Sequence, residues 1–426
     1  TAPLQQDGRV ARHDAGNRSP DRRSVDDQTH THAHTPAPPA SRRVRRLLTW
    51  LLAPFLLATL AGLVLLYPTE GLPTSVNFSG TPIDGDVTAA AEGSCRQPGD
   101  VTVGEPSGPR CLTVEIRLSE GANAGNTISK IVPVQPDAPR FAPGDPVVLA
   151  FNGGDPAQAE SYILVDFQRG IPLLLMAGLF ALAVLVLGRW QGARALVALA
   201  LSFVVLALFI LPAILAGEDP LVVGIVGAGT IMFGALYLTH GMSVRTSVAV
   251  LGTMVSLALI GVISMLFSGL TRLTGLGAET STLVTSLGHG IDARGLLLAG
   301  VVIGALGVLD DVTVTQASAV WELHGANPAL GRRDLYAAGL RIGRDHVSSA
   351  VNTLVLAYAG AALPLLMYSA ISGVGLGRII GSQDIAQEIV RTLAGSMGII
   401  AAVPVTTVLA ALIVSREHKM TPATNG

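Results

Sequence analysis

The chain has 426 residues, half of them hydrophobic and only 14% charged, with a formal net charge of −2. A soluble globule carries about 25% charged residues, and a nucleic-acid binder shows a broad basic face. The composition argues against both and points to a chain that lives in a lipid bilayer.

Residues 1–46 are polar and rich in Arg, Asp, His and Pro, including Pro36, Pro38 and Pro39, and read as a disordered cytoplasmic tail. His30, His32 and His34 alternate there, a pattern that disorder explains before metal binding does. The first apolar run, 47–67, lies far from the N-terminus and lacks a small-residue cleavage pattern after it. It reads as an uncleaved membrane helix.

Residues 68–168 are of mixed character and read as an extracytoplasmic β-rich domain. Cys111-Leu-Thr-Val-Glu-Ile-Arg-Leu118 alternates apolar and polar residues, the mark of a strand with one buried face. Residues 127–134, 145–151 and 160–167 are further strand candidates, and Gly99-Asp100 and Gly144-Asp145 are turn signals. The only two cysteines, Cys95 and Cys111, fall in this segment. Outside the cytoplasm they form a disulfide candidate; the alternative is two free thiols.

Residues 169–415 read as a seven-helix membrane bundle, followed by a short cytoplasmic tail, 416–426. With the first helix, eight apolar runs are expected: 47–67, 171–188, 194–215, 220–240, 245–268, 295–318, 347–371 and 389–415. Each approaches the ~20 residues that span a hydrocarbon core. Arg42, Arg43, Arg45, Arg46, Arg189, Arg194, Arg245, Arg332, Arg333, Arg341, Arg344, Arg416 and Lys419 gather on one side. By the positive-inside rule that side, with both termini, is cytoplasmic. Residues 269–294 fall outside, where Glu279–Leu287 has the spacing of a short interfacial helix. Gly224, Gly227, Gly229 and Gly234 suit helix packing rather than a phosphate loop, for no strand precedes them. His240 and His289 are isolated, so no metal site is expected, and no cofactor motif occurs.

The run 295–318 carries the chemistry. Asp310 and Asp311 interrupt a helix otherwise apolar enough to cross a membrane. A charge there costs ~2.5–3.5 kcal/mol even on lenient insertion scales, so it needs a partner, water or a proton. Asp311, Thr315, Ser318 and Glu322 recur at i, i+4, i+7 and i+11, one helix face, which is expected to turn toward the bundle interior. Gly300 and Gly304, extended by Gly307, allow close helix contact above it. In the next run, Arg344, Asp345, His346, Asn352 and Tyr358 are candidate partners: His346 or Asn352 for Asp311 or Gln316, and Arg344 for Asp310. Adjacent carboxylates also repel each other, which suits a proton carrier.

Two stretches carry a family resemblance: Gly295-Leu-Leu-Leu-Ala-Gly300 running into Gly304-Ala-Leu-Gly307 and Asp311-Val312, and Gly343-Arg344-Asp345 followed by Asn352-Thr353-Leu354 and Ala357-Tyr358-Ala359-Gly360. Through them, residues 165–415 resemble the YibE/F-like family of bacterial membrane proteins. The resemblance implies a multi-span fold in a bacterial cell membrane, with an external domain after the first helix, and implies no chemistry. The family pattern has one acidic residue followed by Val after the glycines; Asp311 matches it, while Asp310 stands where the family has an apolar residue. Glu279 and Glu322-Leu323 also look like family positions.

Three functions compete. The first is a secondary transporter or exporter, with a proton or cation at Asp311 and Asp310, and Thr315, Gln316 and Asn352 as neutral ligands. The second is a non-catalytic assembly or signalling protein whose external domain binds a protein partner. The third, a membrane enzyme using paired aspartates, lacks the second acidic cluster that such chemistry needs. The expected partners are therefore the lipid bilayer and an unidentified small solute or ion, and no enzymatic activity is expected.

Overall fold

The structure is a computed structural model that describes residues 41–68, 80–95, 110–134, 139–287, 290–371, 373 and 375–418. The tail histidines, the Gly99-Asp100 turn, His289 and Lys419 lie outside the described residues.

Helix α1 spans Arg42–Leu65. It starts earlier than the apolar run, because the Ser41 hydroxyl caps it by accepting from the Val44 amide at 3.3 Å. The arginines therefore form the first turn of the helix rather than the end of a tail.

Five strands follow: β1 (Thr81–Ser94), β2 (Arg110–Leu118), β3 (Thr127–Pro133), β4 (Pro146–Phe151) and β5 (Tyr162–Phe167). They form one antiparallel sheet in the order β3-β2-β1-β4-β5. Val114, Ile116 and Leu118 of β2 pack with Val147 and Leu149 of β4 and with Tyr162, all almost fully buried, into a core separate from that of the helices. The sheet curls so that Lys130 Nζ on β3 donates to the Ala159 carbonyl just before β5, at 2.8 Å. Cys95 and Cys111 are joined by a disulfide, with Cα atoms 4.9 Å apart, that ties the end of β1 to the start of β2. The central strand β1 was not expected: Pro82, Gly85 and a run of alanines give it low strand propensity, and pairing on both sides overrides that.

The remaining helices are α2 (Gly170–Val205), continuing through a π turn at 206–210 into α3 (Leu211–Leu215), then α4 (Pro220–His240), α5 (Val244–Leu270), α6 (Ala278–Leu287), α7 (Ala293–Ala326), α8 (Arg332–Ala361), α9 (Leu363–Ile371), α10 (Leu376–Ile380) and α11 (Gln383–His418). Side-chain caps mark three starts: Asp219 on α4, Ser243 on α5 and Asp292 on α7.

Among the described residues, six helices are long and apolar enough to cross a membrane: Arg42–Leu65, Gly170–Leu215, Pro220–His240, Val244–Leu270, Ala293–Ala326 and Gln383–Arg416. The expected eight runs differ from these in two places. Runs 171–188 and 194–215 share one helical stretch, broken at Arg189, whose φ of 48° is not helical. The chain turns back there so sharply that a side chain at Gly192 would meet the Val184 carbonyl. Run 347–371 is divided between α8 and α9, and α8 carries Arg341, Arg344, Asp345, His346 and Asn352, too many polar residues for its apolar half to stand out.

The bundle is centred on α5, α7 and α11. Small residues let them approach: a side chain at Gly252 of α5 would meet Thr406 of α11, and one at Gly398 of α11 would meet Ile260 of α5. Ile260, Leu309, Val312, Ile399 and Val403 fill the seam. On the other side of α7, Val302 and Leu306 pack with Val223, Met232 and Leu236 of α4 and with Ile210 and Val250.

Candidate functional site

Helix α7 carries the candidate site, and its three faces have different fates. One face points to α8 and α11. Gln316 lies there, 3% exposed, and its Nε2 donates to the Gly339 carbonyl of α8 at 2.8 Å and to Thr407 Oγ1 of α11 at 2.7 Å. Gly343 leaves the room that the Gln316 amide occupies. Gln316 thus joins three helices, and it does not reach Asp311.

The second face carries Gly300, Gly304, Gly307, Asp311, Thr315 and Glu322, all exposed, with Ser318 half-buried. The stripe read from the sequence is therefore one face, but it is open rather than turned inward. Among the described residues no helix covers it along its length, because α4 and α8 pack on the faces to either side. The Asp311 side chain is 75% exposed, and its Oδ2 lies 3.9 Å from His346 Nε2 on α8. That is ion-pair range for a protonated imidazole and beyond hydrogen-bond range. His240, at the end of α4, lies within electrostatic range of both Asp311 and Arg245. Asp311 thus sits near His346 of α8 and His240 of α4, and His240 in turn lies near Arg245 of α5.

The depth of this group follows from packing. Gly295 lies against Pro220, and Ala299 against Gly224, so α4 and α7 run parallel. The same offset sets Asp311 level with Leu236, one turn before α4 ends at His240.

The third face holds Asp310. It is half-buried, and its Oδ1 is enclosed without a hydrogen-bond partner. Its neighbour Thr313 is fully buried; the Thr313 hydroxyl pairs with that of Thr253 on α5 at 2.7 Å and lies 3.3 Å from the Asp310 main-chain oxygen.

The remaining expected partners go elsewhere. Arg344 and Asp345 are exposed, and Arg344 makes no ion pair with Asp310. Asn352 is exposed on α8 and bonds neither Asp311 nor Gln316. The Tyr358 hydroxyl instead lies over Gly304, two turns from Asp311, in range of Arg391 and Glu388. Those two residues of α11 pair at 2.6 Å. This second polar group lay unseen in the sequence; the i, i+3 spacing of Arg391 from Glu388 inside an apolar helix was the available signal. His240, set aside as isolated, is brought to Asp311 only by the parallel packing of α4 on α7. Among the described residues no three His, Cys, Asp or Glu side chains converge as a metal site would require.

Six membrane-length helices, a separate five-stranded β domain and a polar stripe on a central helix define a multi-span membrane protein. The chain belongs to the YibE/F-like family, whose model matches residues 176–416. The match runs from within α2 into the last turn of α11, including all three faces of α7, and leaves the β domain outside. No curated protein and no solved structure matches the chain.

Proposed function

We propose that this protein is a secondary transporter, not an enzyme, and that a proton or small cation is taken up at Asp311. The observation that carries this reading is the exposed Asp311 carboxylate facing His346 across α7 and α8, on a helix long and apolar enough to cross a membrane. A carboxylate facing lipid there is costly, so the stripe fits a water-filled groove open to one side of the bilayer. Thr315 continues that groove as a neutral ligand. Glycines at 300, 304 and 307 leave its floor flat as far as the Tyr358, Arg391 and Glu388 group, an arrangement suited to a path with polar groups near each end. Gln316 and Asn352 take no part in ion binding in this reading.

The reading includes eight crossings in a bacterial cell membrane. The turn at Arg189 separates two crossings, and α8 with α9 supplies another. Both termini are then cytoplasmic, as the arginine distribution favours.

A second reading rests on the β domain, which has its own core and leaves Ile163 and Val165 of edge strand β5 half-exposed. There the domain would dock a protein partner and the bundle would anchor it.

The test compares cells that lack the protein, carry it, or carry Asp311→Asn at matched membrane abundance, with solutes and metals read by mass spectrometry in cells and medium. One solute class accumulating alike in the null and Asp311→Asn cells is the expected result. If the variant matches wild type while the null differs, Asp311 is not the transport site. If none of the three differs, transport gives way to the docking reading.

A further inference from the structure

We propose that Asp310, beside the uptake site at Asp311, holds a resident proton: its side chain is a neutral carboxylic acid when the protein is at rest. The geometry is that of an acid without a counter-ion. Asp310 Oδ1 is enclosed and accepts no hydrogen bond. The residues one turn away on the same face, Leu306 and Val314, both pack into the apolar cluster that includes Met232, Leu236 and Val250. The nearest hydroxyl on α7, that of Thr313, is engaged with Thr253 and lies by the main-chain oxygen of Asp310, not by its carboxylate. No ion pair among the described residues includes Asp310.

The charged and titratable groups of the surrounding helices are committed elsewhere. His240 of α4 and His346 of α8 lie near Asp311, and Arg245 of α5 lies near His240. At this level α11 presents Thr406 and Thr407, which do not titrate. A carboxylate with one oxygen enclosed and unpartnered is costly to ionise, and such a group takes up a proton instead. A metal cation would need several ligands around it, and among the described residues no three His, Cys, Asp or Glu side chains converge here, whereas a proton needs only one oxygen. The adjacent Asp311 faces solvent beside His346, so a proton leaving Asp310 has an acceptor one residue away. Use of that proton to drive a solute rests on the transporter reading; its presence on Asp310 does not.

The experiment is infrared spectroscopy of the full chain in lipid nanodiscs at neutral pH, reading the carbonyl stretch of a protonated carboxylic acid above the amide I band. Wild type and Asp311→Asn are expected to show the band, and Asp310→Asn to lose it while keeping the wild-type melting temperature, since an amide replaces a neutral acid of the same shape. Absence of the band in wild type, or its survival in Asp310→Asn, overturns the proposal. If Asp310→Asn does not fold, 13C-carboxyl aspartate labelling of wild type and Asp311→Asn decides: an unshifted pair of spectra across the acid-to-neutral titration supports a held proton, and complete ionisation at neutral pH refutes it. Failure of the solute experiment leaves this band untouched, so the two readings fall separately.

Discussion

Gln316 Nε2 on α7 is held between Thr407 Oγ1 of α11, at 2.7 Å, and the Gly339 carbonyl of α8, at 2.8 Å. A buried amide bonded to two other helices is a strut rather than an ion ligand. Gln316→Ala removes both bonds and leaves a cavity, a loss of roughly 2–4 kcal/mol. The expected outcome is a lower melting temperature in detergent and lower abundance, with transport per folded molecule retained. A variant of normal stability that cannot transport would return Gln316 to the binding site.

The α5–α11 seam makes a second stability prediction. A methyl group at Gly398 would overlap Ile260, which is itself fully buried. Gly398→Ala should cost about 1–3 kcal/mol through overpacking. Combining it with Ile260→Val, which opens space at the same point, should recover part of that loss. A double-mutant cycle of melting temperatures reads the coupling, and strictly additive losses would mean that the two side chains do not meet.

The Cys95–Cys111 bridge closes a loop with a sequence separation of 16. In the chain-entropy model a loop of this size is worth about 3 kcal/mol. Cys95→Ser with Cys111→Ser should make the β1–β2 pair open to proteolysis while the bundle melts at an unchanged temperature, because the domain's core includes no bundle residue. Equal protease resistance with and without the bridge would show that the sheet closure at Lys130 suffices.

Long apolar runs made the membrane helices visible in the sequence, and alternation with turn signals made four of the five strands so. β2 shows this most clearly, with Cys111, Val114, Ile116 and Leu118 buried. The central strand β1 was hidden because its stability comes from two neighbouring strands rather than from its own residues. The site was legible as a polar interruption, but not as three faces. Consecutive positions on a helix are turned by about 100°, from its 3.6 residues per turn, so Asp310 and Asp311 meet different surroundings. Which face another helix covers depends on contacts such as Ala299 against Gly224, distant in sequence. The expectation that Asp311 faces inward failed for that reason, as did its grouping with Gln316 and Asn352.

Arg189 decides how the chain enters the bundle. Its positive φ and the approach of Gly192 to Val184 turn 170–188 and 190–215 into separate limbs. By the ~20-residue requirement, each limb can cross a bilayer. In the proposed topology the Arg189 turn lies on the cytoplasmic side, with Gly241 and Asn327, while Gly153 and Gly217 lie outside. A single cysteine placed at each position, in a chain with Cys95 and Cys111 replaced by Ser, should react with an impermeant maleimide in intact cells only at 153 and 217. Positions 189, 241 and 327 should react only after permeabilisation. Labelling at 189 from outside would fuse the two limbs into a single crossing and invert every helix on one side of that turn. Asp311 would then open toward the opposite face of the membrane from α1's arginines.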